Sequence, residues 1–209
     1  MRRYDVLVAG IGGQGVITLG TLLKLAALAE GVEVTGAERR GGAQREGPVT
    51  SNVRYRVLDA EERHDPRKAV FSGALLRGGA HLVLSLEPLE AVRALPYCNA
   101  DTVVISDVTP RVPTAVRLGS ARYPCLESLW AMLREVTPRV YPVDFEGLSR
   151  RHFGDLRRLN VLALGVASAL GNLPVSADAL LTVVRERLPG FDDNRRAFEL
   201  GRECTAAHS

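Results

Sequence analysis

Residues 4–38, YDVLVAGIGGQGVITLGTLLKLAALAEGVEVTGAE, decide the fold. Tyr4 to Ala9 is a short, nearly continuous apolar run of the kind that forms a buried strand. It opens directly into Gly10-Ile11-Gly12-Gly13-Gln14-Gly15. From Gly15 to Glu30 the period changes: Val16, Leu19, Leu23, Ala26 and Ala27 recur at helical steps, and Gly31 is a natural stop. Glu33 to Glu38 reads as a second strand. Strand, glycine turn, helix and strand make a βαβ unit, which predicts a right-handed crossover and an α/β, Rossmann-like sheet.

Outward from this unit the pattern shifts. Gly36 to Pro48 (GAERRGGAQREGP) reads as a polar loop rich in glycine and arginine. Val49 to Val57 then alternates strictly, with Thr50, Asn52, Arg54 and Arg56 on one face. Such alternation predicts an edge or antiparallel strand with that face in water, and therefore a mixed sheet. Ala80 to Leu86 and Thr102 to Ser106 read as buried strands, with a short helix over Glu87 to Leu95 between them. Ala115 to Leu118 is a candidate short strand, Leu126 to Val136 a helix, and Pro138 to Val143 a strand. The last third is helical: a stripe from Leu156 to Leu170, a helix capped by Ser176, and a final one from Asp192 to Cys204. No repeat or linker interrupts residues 1–209, which predicts a single domain.

The chain has 209 residues, 46% of them hydrophobic and 24% charged, as expected of a globular protein. No apolar run approaches the roughly 18 residues of a membrane span. Met1 to Asp5 leads straight into the first strand without a signal-peptide apolar region, which predicts a cytoplasmic protein with no membrane contact. The net charge of +3 is too mild to point to nucleic acid. Cys98, Cys125 and Cys204 stand far apart with no Cys-x-x-Cys pair, so no common spacing for zinc or an iron–sulfur cluster is present.

Two stretches can bind an anion. Gly10, Gly12, Gly13, Gln14 and Gly15 form a Gly-x-Gly-x-x-Gly turn between strand and helix, where backbone amides and the helix N-terminus favour negative charge. The turn alone fits a bound anion and mere close packing equally well. A nicotinamide or flavin nucleotide is a third reading, since Glu38 ends the second strand where a ribose-binding acid would sit. The second stretch carries Arg39, Arg40, Gly41, Gly42, Gln44 and Arg45. Across Gly36 to Arg56 five arginines face two acids, an excess of three that equals the whole chain's. In a doubly wound sheet this loop should lie beside the glycine turn, where it suits a phosphate, a carboxylate or an acidic partner. Asn160, inside an apolar stripe, reads as a satisfied core amide. Arg150-Arg151-His152 with Arg157-Arg158 reads as a solvated helix face or an interface.

Gly10-Ile-Gly-Gly-Gln-Gly-Val16, Glu38-Arg-Arg-Gly-Gly-Ala-Gln-Arg45 and Val49-Thr-Ser-Asn-Val-Arg54 together resemble the gamma domain of 2-oxoacid:ferredoxin oxidoreductases. Asn160, Leu164-Gly165 and Asn194-x-x-Ala-Phe198-Glu-x-Gly201 resemble the same domain, and the closing pattern is most similar to the indolepyruvate branch. The resemblance runs from about Tyr4 to Gly201 and departs from some relatives at Glu46 and Asn52. It implies a three-layer αβα domain with a mixed sheet. It also implies assembly with a larger subunit that carries thiamine diphosphate, magnesium and iron–sulfur clusters and serves ferredoxin. Such an enzyme converts a 2-oxoacid and coenzyme A into an acyl-CoA, carbon dioxide and reduced ferredoxin. On this reading the chain holds no catalytic residue, metal or redox cofactor, and coenzyme A passes near the glycine turn. The Gly-Asp-Gly signature that holds thiamine diphosphate magnesium is absent from the sequence, in keeping with that division.

Overall fold

The computed structural model describes residues 2–41, 47–57, 72–112, 116, 118–119 and 122–204. The chain enters as β1 (Arg2–Ile11), turns into α1 (Val16–Ala29) and returns as β2 (Glu33–Arg40) and β3 (Pro48–Val57). Then follow β4 (Leu82–Ser85), α2 (Pro88–Arg93), β5 (Val103–Asp107), α3 (Leu126–Arg134) and β6 (Val140–Val143). Four helices close the chain: α4 (Phe145–Phe153), α5 (Leu159–Leu170), α6 (Ala177–Arg187) and α7 (Phe191–Glu203).

The strands form one sheet in the order β2-β3-β1-β4-β5-β6. β1, β4, β5 and β6 are parallel neighbours, and β3 is antiparallel to both β1 and β2. The sheet is therefore mixed, as the alternation of Val49 to Val57 implied. β1 and β2 do run in the same direction, but β3 lies between them. Because side chains alternate across a sheet, the parallel strands β1, β4, β5 and β6 feed two cores. Val6, Val8, Val53, Leu82, Leu84 and Ile105 pack under α1, α5, α6 and α7. Leu7, Val83 and Val104 pack on the other face with Ala91 of α2 and Leu133 of α3. Three layers result, as the family resemblance implied.

α5 is buried almost all round, from Leu159 through Val161 to Ala167. It lies close to α7 because two glycines leave room: a Cβ on Gly165 would sit 2.2 Å from the Phe198 carbonyl oxygen, and one on Gly201 2.2 Å from that of Leu162.

Three expectations need correction. β3 is an interior strand, and its polar face is not wet. Arg54 and Arg56 are only 4% and 5% exposed, because each has a counter-charge, the buried Asp5 and the partly exposed Glu33 respectively. The polar stretch from Gly36 is strand as far as Arg40, since each residue from Glu33 to Arg40 pairs with one of β3 from Arg56 to Val49. A further helix, α4, follows β6; the Asp144 side chain accepts from Gly147 N at 2.8 Å and Gly154 ends it at φ 76°. Its last turn carries Arg150, Arg151 and His152, all exposed, as the sequence suggested. The candidate strand at Ala115 to Leu118 falls largely outside the described residues.

Candidate anion-binding cleft

The glycine turn is held by its own glutamine. Gln14 Oε1 accepts from Ile11 N at 2.8 Å, and Gln14 Nε2 donates to the Leu86 carbonyl at 2.7 Å. Those partners lie at the carboxyl ends of β1 and β4, the adjacent strands whose following helices pack on opposite faces of the sheet. In open α/β sheets this switch point is the crevice where ligands bind. Here the Gln14 amide bridges it. Gly10 has no side chain because a Cβ would meet Gln14 Oε1 at 2.9 Å and Val16 Cγ2 at 2.8 Å. Gly13 and Gly15 take φ of 94° and 83°, values that favour glycine. A Cβ on Gly15 would in addition sit 2.0 Å from Asn160 Nδ2.

Across from the turn lies the start of α5, and between them is a cleft of about 460 Å³. One wall is Ile11 to Gly15. The other is Leu156, Arg157, Leu159 and Asn160, with Arg111 joining from the loop after β5. Two helix N-termini thus meet at one cavity. Neither α1 nor α5 has a side-chain cap or an acidic residue in its first turn. Their leading backbone amides and dipoles therefore favour an anion. Arg111 and Arg157 add positive charge, each tempered by a neighbour: Glu146 at 2.6 Å and Asp155 at 2.5 Å.

Of the residues singled out in the sequence, Gly12, Gly13, Gln14 and Gly15 line this cleft, and Gly10 lies beneath the turn. Arg39 and Arg40 end the exposed strand β2 and do not line it. Gly41 N donates to the Pro48 carbonyl at 2.8 Å, and Gly12 N to that of Gly47 at 2.9 Å. The base of the arginine loop therefore does adjoin the glycine turn. Gly42, Gln44 and Arg45 lie outside the described residues. Asn160 is no satisfied core amide. It lines the cleft from the first turn of α5, and its Oδ1 finds no hydrogen-bond partner among the described residues. Sequence reasoning missed Arg111 entirely; Arg157 is exposed as it was read to be, and lines the cleft as well.

The dinucleotide reading loses its second leg. Glu38 stands on β2, separated from β1 by β3, so it lies about 10 Å away across two strand spacings. It pairs with Lys24 at 3.5 Å instead. Among the described residues no three His, Cys, Asp or Glu side chains gather as metal ligands would. No described helix is long and apolar enough to cross a membrane.

One buried acid at this edge should show in the stability profile. Asp107, 2% exposed at the end of β5, is pushed up from 3.8 to about 6 by burial first, with Asp144 adding to the rise against backbone hydrogen bonds. The folded state therefore holds this proton more tightly than the unfolded chain does. The stability that Asp107 contributes is fully present below about pH 4 and lost as pH rises through about 6. Asp107→Asn removes that loss. The variant should gain on the parent, by about 1–3 kcal/mol between pH 4 and pH 7.5 in urea unfolding. A difference that stays constant with pH would rule the assignment out.

Fold and cleft define a Rossmann-like α/β domain whose carboxyl edge favours an anion and whose second strand lies away from the glycine turn. The chain belongs to the pyruvate ferredoxin/flavodoxin oxidoreductase family, which it matches over residues 5–204. It is 31% identical over 201 residues to the indolepyruvate oxidoreductase subunit IorB of Archaeoglobus fulgidus, covering 95% of this chain and 94% of that one. The Thermococcus kodakarensis subunit of the same name is 32% identical over 204 residues, covering 96% and 95%. Among solved structures, the gamma subunit of a keto/oxoacid ferredoxin oxidoreductase from Geobacter sulfurreducens matches with a TM-score of 0.68 at 20% identity, over 99% and 98% of the two chains. A 2-oxoglutarate:ferredoxin oxidoreductase from Magnetococcus marinus, with 2-oxoglutarate, coenzyme A and succinyl-CoA bound, also scores 0.68, at 18% identity. This chain corresponds to 32% of that longer one. At such identities the structural likeness speaks for the fold.

Proposed function

We propose that this chain is the small subunit of an indolepyruvate-type, thiamine-dependent 2-oxoacid:ferredoxin oxidoreductase. The observation that carries the reading is identity of 31–32% along nearly the full length of two indolepyruvate oxidoreductase subunits. On this reading residues 1–209 act as one domain in the cytoplasm, beside a large subunit that holds thiamine diphosphate, magnesium and iron–sulfur clusters. Such an enzyme would convert the 2-oxoacid, coenzyme A and oxidised ferredoxin into an acyl-CoA, carbon dioxide and reduced ferredoxin, the large subunit's thiamine diphosphate and clusters supplying the decarboxylation and electron-transfer chemistry.

This chain's own residues would supply binding rather than chemistry. A phosphate of coenzyme A suits the cleft between α1 and α5, where Gly13, Gly15 and the first turn of α5 present amides and Arg111 and Arg157 present charge. Arg39 and Arg40 at the exposed end of β2, with Gly41, then face the large subunit.

Coexpression with a thiamine-dependent large subunit tests the proposal. Arylpyruvate-dependent reduction of ferredoxin should require both chains and fall to background when this one is omitted. Undiminished turnover by the large subunit alone would discard it.

A further inference from the structure

The glycine wall of the cleft and Arg111 opposite it are fastened to two consecutive residues, Leu86 and Glu87, that line no part of it. The Leu86 carbonyl takes the Gln14 amide, as described. Glu87 is 2% exposed. Its Oε2 accepts from Glu90 N at 3.0 Å, capping α2. Its Oε1 accepts from the backbone N–H of Arg111 at 3.3 Å and from the Tyr123 hydroxyl. Two points twelve residues apart in the chain thus converge on one buried carboxylate. Burial and this carboxylate raise the Tyr123 hydroxyl above its usual range, which keeps it a donor.

The tether matters because, among the described residues, little else holds the main chain of Arg111. It lies in irregular chain between Pro110 and Pro113, and proline has no N–H to offer a neighbour. Its guanidinium is fixed separately, by Glu146 Oε2 at 2.6 Å, and Glu146 Oε1 is occupied by Arg150 at 2.8 Å. One carboxylate therefore sets the main chain of Arg111 and another sets its side chain.

We infer that Glu87 is a positioning residue for anion binding, acting through Arg111 by anchoring its backbone at the mouth of the cleft. This rests on the reading that the cleft receives the anionic cosubstrate. Charge-assisted hydrogen bonds weaken steeply with distance and angle, so a displaced Arg111 loses its grip on a phosphate without any change in chemistry.

The test uses the reconstituted two-subunit complex, with KM for coenzyme A and kcat measured separately. Arg111→Ala should raise that KM about tenfold, the scale of one lost hydrogen bond to a charged group. Glu87→Ala should reproduce most of the rise while kcat changes less than about twofold, and the double variant should be no worse than Arg111→Ala alone. Should Glu87→Ala fail to fold, Glu87→Gln carries the test. It keeps one acceptor but loses the charge, and should raise KM by about threefold. An unmoved KM in the Glu87 variants beside a raised one in Arg111→Ala overturns the inference, as does additivity in the double variant. If Arg111→Ala itself leaves KM unchanged, the cleft reading fails first, and Glu87 is reduced to a loop anchor.

Discussion

Asp5→Ala is expected to destabilise the folded protein by about 3–5 kcal/mol, the scale for removing one partner of a buried ion pair. Asp5 and Arg54 face each other in the β1–β3 ladder and are each 4% exposed. Arg54 Nε meets Asp5 Oδ1 at 3.0 Å and Nη2 meets Oδ2 at 3.3 Å, while Nη1 donates to the Ser72 and Ala74 carbonyls at 2.6 and 2.8 Å. The guanidinium is thus bonded at every nitrogen. It also ties residues 72–74 to the sheet, where Asn52 Nδ2 adds a bond to the Gly73 carbonyl at 3.3 Å. Without Asp5 a full positive charge remains buried with only carbonyls for company. Urea unfolding measures the loss directly. The double change Asp5→Leu with Arg54→Met should recover most of it, because an apolar pair of similar volume leaves no orphaned charge. A loss below about 1 kcal/mol for Asp5→Ala would mean that water reaches Arg54.

The same pair shows what could and could not be read from the chain. The first βαβ unit was legible because the apolar period changes at Gly15, from a continuous run to helical spacing, and both periods are local. Arg54 and Arg56 were misread because alternation reports only which residues share a face. Whether that face meets water or counter-charges depends on Asp5 and Glu33, 49 and 23 residues away. α4 was read only as a charged face at Arg150-Arg151-His152, because its apolar stripe is short, Phe145, Leu148 and Phe153, and only the first of these is fully buried. The cleft was half legible for a related reason. Its glycine wall is contiguous and announces itself. Its other wall joins Arg111 to Leu156–Asn160, segments with no shared pattern until the sheet edge brings them together. Asn160 was placed in the core by its apolar neighbours, yet its position in the first turn of α5 exposes it to the cavity.

That contact between Gly15 and Asn160 supports the other large effect, on Gly15→Ala. Two costs combine there. At φ 83° an alanine is held in the left-handed region, which costs about 1–3 kcal/mol. Its Cβ would also lie 2.0 Å from Asn160 Nδ2, and overpacking a filled site costs about 1–3 kcal/mol more. Asn160 has little freedom to retreat, since α5 is buried from Val161 to Ala167 and lies close against α7 at Gly165. Gly13 is the internal control. It has a similar φ of 94°, but a Cβ there would meet nothing within 4 Å. Gly13→Ala should therefore show the backbone cost alone, and Gly15→Ala should exceed it by at least about 1 kcal/mol in urea unfolding. In the assembled enzyme Gly15→Ala should also raise KM for coenzyme A well beyond Gly13→Ala, because only the former forces the two helix N-termini apart. Equal losses at the two glycines would show that backbone strain is the whole effect and that α1 and α5 are not in register across the cleft.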